Sequence, residues 1–280
     1  MPGARRLLRR YELLISCEHG GNRVPARYRV AFAGAERALA SHRGYDPGAL
    51  ELARGFARRL RAPLLYSTTS RLLIELNRSL GHRQSFSPYA RRLAPRVREE
   101  LVARYYVPYR DAIAARVKRG IARGRCVVHL SCHSFTPRLR GVVRRTDIGL
   151  LFDPRRRGEA ALCAEWREAL ESRELRVRHN YPYRGAADGL TTDLRRRFGA
   201  EAYIGIELEV SQKFPKGSAE AWGALRRALI ATFGEALARS RSRAPARARP
   251  SRTRGRAPAV ARGARSGRPG RRRARRSRGR

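Results

Sequence analysis

Lysine is almost missing from these 280 residues: Lys118, Lys213 and Lys216 stand against 61 arginines, with 23 acidic residues in all. So lopsided a ratio bears the mark of GC-rich coding as much as selection for phosphate contacts, so the formal charge of +41 says little about the chemistry of the folded part. It does predict salt-sensitive sticking to nucleic acids and anionic membranes. Cysteine is scarce too. Cys17, Cys126, Cys132 and Cys163 have no CxxC spacing, and three lie in or beside apolar runs, which fits reduced buried thiols better than a disulfide framework. No apolar run approaches eighteen residues, and 11–16 is too short for the core of a signal peptide although 1–10 is basic, so the sequence reads as a cytoplasmic protein with no membrane span. Acidic and aromatic residues are both absent from 241–280, where 17 arginines alternate with Ala, Pro, Ser and Gly. Such a stretch cannot bury a core and repels itself. The expectation is one folded domain over 1–238 and a disordered arginine-rich tail over 239–280, able to touch nucleic acid non-specifically. Nothing in the sequence indicates an oligomeric state.

What the chain does have is a stretch that begins as a buried strand and turns polar, Cys126-Val127-Val128-His129-Leu130-Ser131-Cys132-His133-Ser134-Phe135. If the strand continues, His129, Ser131 and His133 recur at a period of two and share one face. In open α/β sheets ligands bind at the carboxyl ends of strands, and two imidazoles on one face can bind a metal or move a proton. For His129 an ordinary buried, hydrogen-bonded histidine is an equally good reading.

Other segments end in comparable places. Leu13–Ser16 reads as a strand leading into Cys17-Glu18-His19-Gly20-Gly21-Asn22, a tight turn carrying a histidine and a glutamate. Asp46-Pro47 precedes a helical stripe over 50–60, so Asp46 is either an N-cap or something more. Leu64–Tyr66 is a short strand running into Ser70-Arg71 through Asn77-Arg78, where guanidinium and amide groups suit a carboxylate. Helices broken near Val107-Pro108-Tyr109 lead into the organising strand. After it come a strand within 145–154, a helix over 159–170 with Trp166 in its stripe, and a loop over 177–189 whose tyrosines, Tyr183 among them, suit a substrate-facing wall. A short helix is expected over 192–198 and a last one over 220–237. Between them, Tyr203-Ile204-Gly205-Ile206-Glu207-Leu208-Glu209-Val210 sets two carboxylates on one face of a strand. A buried carboxylate is costly unless it meets a metal, a donor or a cation, which makes this pair the strongest hint of chemistry in the chain.

Histidines with carboxylates around an open coordination position are how zinc makes hydroxide near neutral pH, and a further carboxylate can shuttle the proton. Neither an HExxH pair nor a GxSxG elbow is present. As an ordered set, Cys17-Glu18-His19-Gly20-Gly21, Asp46-Pro47-Gly48-Ala49, Ser70-Arg71 through Asn77-Arg78, Cys132-His133-Ser134-Phe135, Asp147-Ile148-Gly149 and Ile206 through Val210 resemble the N-formylglutamate amidohydrolase family, over about residues 11 to 235. That family is a branch of the zinc-carboxypeptidase-like hydrolases, which also include the aspartoacylase and succinylglutamate desuccinylase enzymes.

The resemblance implies a zinc-carboxypeptidase-like, three-layer αβα domain with a central mixed, mainly parallel sheet, one Zn2+, and hydrolysis of the amide of N-formyl-L-glutamate or a similar small carboxylate substrate. It matches His19 and His133 to metal ligands. Asn22 stands where related carboxypeptidases have a carboxylate, so the third ligand is Asp46, Glu18 or Asn22, with Asp46 preferred. Glu209 matches the general base, Glu207 is expected to orient it, and His129 is carried as a further catalytic candidate. Arg71, Asn77 and Arg78 are matched to the grip on the substrate carboxylate, with Tyr183 beside them. Ser131 takes the place of the aspartate in the usual Asp-Cys-His-Ser-Met-Pro form, and Phe135-Thr136-Pro137 also departs from it. Another N-acyl amino acid, a small peptide or a cell-wall fragment is therefore the alternative substrate.

Overall fold

The computed structural model describes residues 11–242. The expectation of an arginine-rich tail falls, from 243 onward, outside the described residues. Six strands form the main sheet: β1 (Tyr11–Cys17), β2 (Leu64–Tyr66), β3 (Cys126–Phe135), β6 (Ile148–Leu151), β7 (Val177–His179) and β8 (Tyr203–Ser211), in the order β2-β1-β3-β8-β6-β7. All neighbours are parallel except β8 and β6. The fold is thus α/β with a mixed, mostly parallel sheet. Two short strands, β4 (Arg138–Leu139) and β5 (Val142–Val143), make a separate antiparallel hairpin after β3.

Parallel strands need crossovers, and these supply the helices that cover both faces. The helices are α1 (Glu36–Leu39), α2 (Ala49–Leu60), α3 (Pro95–Leu101), α4 (Val107–Ala122), α5 (Arg157–Glu171), α6 (Leu190–Arg197) and α7 (Ala219–Ser242). On one face α2, α5 and α7 pack Phe56, Trp166 and Phe233 against Ile15, Leu130, Ile206 and their neighbours. On the other, α4 and α6 meet Leu14, Val127 and Tyr203 through Ile113, Val117 and Leu194. The break expected near Val107-Pro108-Tyr109 is not there: a π-helical segment, Val102–Tyr106, carries α3 on into α4, and Pro108 is accommodated in the first turn of α4, where its missing N–H costs least. The loop expected over 177–189 opens with β7, an edge strand of three residues.

Two connections, after β1 and after β2, are long and irregular, yet they are not loose. Tyr28, Phe32, Leu73, Ile74 and Leu76 bury one another with Leu101 and Tyr106 in a second core. That satellite core fixes the backbone carrying residues 71 to 78. Ser70 ties it to the Asp46 loop, its hydroxyl donating to the Gly44 carbonyl at 2.9 Å.

Candidate metal centre and active site

Strand alternation builds the site. In β3, Val128, Leu130 and Cys132 face the core under α2, α5 and α7, so His129, Ser131 and His133 must face the other way. Register then sets their neighbours: Ser131 stands beside Glu207 and His133 beside Glu209, on parallel strands about 4.8 Å apart. His19 follows β1 on the opposite side of β3. Because β8 lies between β3 and β6, its two glutamates are interior to the sheet rather than on an edge.

His19, Asp46 and His133 converge as a buried group whose candidate ligand atoms all lie within 4.8 Å of one another. Asp46 Oδ2 stands 3.3 Å from His19 Nδ1 and 2.9 Å from His133 Nδ1. Ligand atoms on a tetrahedral zinc at about 2.0–2.1 Å stand about 3.3 Å apart, so two imidazole nitrogens and a carboxylate oxygen fit such an ion. The outer ring nitrogens are held as metal-binding histidines usually are. His19 Nε2 is 2.5 Å from Glu75 Oε1, and His133 Nε2 is 3.0 Å from Glu18 Oε2 and 2.9 Å from Ser131 Oγ. Ser131 donates to Glu18 Oε2 at 2.5 Å and Tyr109 to Glu18 Oε1 at 2.7 Å.

Electrostatics follow from this packing. Burial alone would raise the carboxyls of Glu18, Asp46 and Glu75, but all three are held below the usual carboxylate range, Glu18 by His133 with the Ser131 and Ser16 hydroxyls, Asp46 by the two imidazoles and Arg71, and Glu75 by Arg71 and His19. Burial alone would lower His133, yet Asp46 and Glu18 hold it well above the ordinary imidazole value. Glu209 behaves oppositely. Burial pushes it up to about 8, the carboxylates of Asp46 and Glu207 adding to the effect and His133 and Arg71 opposing it. Its Oε2 is buried with no hydrogen-bond partner. A carboxyl poised near neutrality with an unengaged oxygen is suited to taking and returning a proton.

The aromatic loop reaches this centre through a close approach. Gly149 pairs in register with Glu209, and a Cβ there would lie 2.0 Å from the Tyr181 carbonyl oxygen and 3.2 Å from Glu209 Cβ. Only glycine lets the 181–183 segment pass so near. Tyr183 is 43% exposed, and its hydroxyl is raised by burial and by Glu209 and Asp46.

Several expectations are corrected by these contacts. Of the two readings of Asp46 the ligand holds and the cap does not: α2 begins after Gly48, which takes φ +80, with no side-chain cap, and the Asp46 carboxylate is turned onto the two imidazoles. Arg71 is not free to grip a ligand. Its Nε and NH2 donate to Glu75 Oε2 at 2.8 and 2.6 Å, and its NH1 lies 3.3 Å from Asp46 Oδ1. His129 is not brought to the cluster, being fully buried between the Ser16 and Tyr203 hydroxyls at 2.8 Å each, and burial pushes it down to about 4. Glu207 accepts from Thr191 Oγ1 at 2.6 Å and makes no hydrogen bond to Glu209, which it influences through charge alone. Asn77 does lie at the site, its Nδ2 3.5 Å from His133 Nε2 and its Oδ1 accepting from the Leu190 N–H at 2.8 Å. Arg78 donates to the Asp188 carbonyl beside it. Glu75 was missed, although a carboxylate within the apolar run Leu72–Leu76 is the costly burial that singled out Glu207 and Glu209.

A family model described as N-formylglutamate amidohydrolase matches residues 11–214. The chain belongs to this family. Among solved structures, the gene product Atu2144 from Agrobacterium tumefaciens is 28% identical, with 81% of this chain and 91% of that one covered at a TM-score of 0.72. An N-formylglutamate amidohydrolase from Ralstonia eutropha JMP134 is 20% identical over 83% of this chain and 95% of that one, at a TM-score of 0.62, and shows the shared fold. No curated protein sequence gives a significant match. Family membership and the His19, Asp46 and His133 cluster together make this N-formylglutamate amidohydrolase relative a metal-dependent amidohydrolase, with zinc the ion its donors suit. Among the described residues, no helix is long and apolar enough to cross a membrane.

Proposed function

We propose that the chain hydrolyses N-formyl-L-glutamate or a closely similar N-acyl amino acid, with His19, Asp46 and His133 holding the zinc and Glu209 acting as general base and then general acid. A zinc ion so held supplies Lewis acidity toward the amide carbonyl and lowers the pKa of water. Glu209 Oε2 accepts the proton of the attacking water and passes it to the amide nitrogen as the C–N bond breaks, giving the free acid and the amine. Asn77 and Arg78 hold the α-carboxylate, Arg71 being neutralised by Glu75 and Asp46. Glu18 and Glu75 keep the two imidazoles in their ligating orientation. The likeness to zinc carboxypeptidases belongs to the same proposal and draws support from the mixed sheet with histidines and a glutamate at its strand ends.

The observation that carries this reading is the buried, unpartnered Oε2 of Glu209, on the strand beside His133. Its test is Glu209→Gln in the full chain, purified without a histidine tag and resupplied with zinc. We expect kcat on N-formyl-L-glutamate to fall by at least about 100-fold while about one zinc per chain is retained. A kcat within about threefold of the parent would remove Glu209 from the mechanism, and a parent chain that binds no zinc would remove the metal.

A further inference from the structure

N-Formyl-L-glutamate carries two carboxylates, and Asn77 with Arg78 accounts for one. The aromatic loop and the β4–β5 hairpin bring a second cation to the site. Arg144 follows β5, and its guanidinium carbon lies 5.3 Å from the centroid of the Tyr183 ring and 5.9 Å from that of Phe135. Phe135 is on the same face of β3 as His133, one pleat or about 6.6 Å further along. The segment that carries Tyr183 passes against Glu209, for a Cβ on Gly149 would lie 2.0 Å from the Tyr181 carbonyl oxygen and 3.2 Å from Glu209 Cβ. Arg144 is thus stacked over the carboxyl end of the two strands that carry the chemistry.

Its bonding differs from that of two other arginines held near the strand ends. Arg71 is matched by two carboxylates and Arg195 by Glu159. Among the described residues Arg144 has no carboxylate partner, and residues 1–10 and 243–280 contain no Asp or Glu. Among the described residues its NH1 alone is engaged, by long contacts to the Thr136 carbonyl at 3.5 Å and the Tyr183 hydroxyl at 3.4 Å. Nε and NH2, one edge of the planar fork, have no acceptor among the described residues. A guanidinium held over two rings with that edge unused is pre-organised for bidentate binding of a carboxylate.

We propose that Arg144 is the receptor for the side-chain carboxylate of the substrate, so that this residue, with Phe135 and Tyr183, makes the enzyme selective for N-acyl derivatives of acidic amino acids. The proposal rests on the amidohydrolase reading above. It is tested with Arg144→Met, which leaves an unbranched chain against the rings but removes the charge and the fork, and with Arg144→Lys, which keeps the charge without the fork. In the zinc-loaded parent, kcat/KM for N-formyl-L-glutamate should exceed that for N-formyl-L-glutamine by at least about tenfold. In Arg144→Met that ratio should collapse to within about threefold of unity, chiefly through KM for the glutamate compound, and Arg144→Lys should recover part of it. A ratio unchanged in Arg144→Met would overturn the assignment. Calorimetric binding of the two compounds to the same variants on a Glu209→Gln background gives an independent readout. If the parent cleaves no N-formyl amino acid, the hydrolase reading falls, and a binding preference for glutamate that ignores Arg144 would overturn this inference separately.

Discussion

The two faces of β3 and β8 are made by the same residues of chain taken alternately, and they do opposite things. Val128, Leu130, Cys132, Ile204, Ile206 and Leu208 are buried against α2, α5 and α7, and the one titratable group among them, the Cys132 thiol, is kept protonated by burial. His129, Ser131, His133, Tyr203, Glu207 and Glu209, one residue out of phase, are polar, and each is hydrogen-bonded to a strand, loop or helix neighbour or, for Glu209 Oε2, left unsatisfied. A strand can therefore place costly polar burial at the site only because its reverse side stabilises the sheet. Stability and chemistry are separable here at a spacing of one residue.

The largest test of that separation is on the packed face. Trp166 is fully buried against Phe56 and Phe233, with ring centroids 6.3 and 4.6 Å away, and donates to Thr232 Oγ1 at 3.1 Å. Trp166→Ala should lower the unfolding free energy by about 3–5 kcal/mol, read from denaturant midpoints, while the fraction that remains folded binds zinc as the parent does. A loss below about 1 kcal/mol would mean that the three-helix face is not what holds the sheet.

The next effect comes from the polar face and depends on pH. His129 is buried as the neutral imidazole, its folded pKa pushed down to about 4 from an ordinary value near 6.5. Above about pH 6.5 neither folded nor unfolded chain protonates it, so it has no effect on stability there. Between about pH 6.5 and 4 the unfolded chain takes up the proton first, so stability falls as pH falls, by about 3 kcal/mol over the whole window. His129→Gln keeps a hydrogen-bonding group between Ser16 and Tyr203 and removes the titration. The gap in stability between pH 7 and pH 4.5 should narrow in that variant, and an unchanged gap would show that other groups set the acid limit.

Much of this was legible in the sequence wherever the physics is local. Alternation along β3 and β8, the turn after β1 and the stripe carrying Trp166 are properties of neighbouring residues, and the structure reproduces each. What could not be read is which distant charges meet. Arg71 looked like a free cation because its partners, Asp46 and Glu75, are brought to it by a loop that folds on a core of its own. Asp46 before Pro47 has the form of a helix cap, and only the meeting of His19 with His133 gives its carboxylate something stronger to bind. Tyr109 reaches Glu18 across 91 residues of sequence, a pairing with no local signature at all.

The smallest effect distinguishes residues that bind a ligand from those that only aim one. Glu75 Oε1 sits 2.5 Å from His19 Nε2 and accepts the Asn77 N–H at 2.9 Å, while Oε2 takes the Arg71 guanidinium. With an ion on His19 Nδ1, the other ring nitrogen carries a proton, and a carboxylate there fixes the tautomer and makes the imidazole a better donor to the metal. Glu75→Gln leaves an oxygen for His19 but no charge, and its amide group opposes the Arg71 donors, freeing a cation beside the site. Both changes weaken metal binding. Zinc affinity from competition with a chelator should fall about 10- to 100-fold, or about 1.4–2.7 kcal/mol, with kcat of the fully loaded enzyme changed much less than by Glu209→Gln. Glu18→Gln, acting on His133 Nε2 from 3.0 Å away, should fall in the same range. Affinities within about threefold of the parent in both variants would mean that the carboxylates behind the histidines serve packing alone and that Asp46 and the two rings hold the ion unaided.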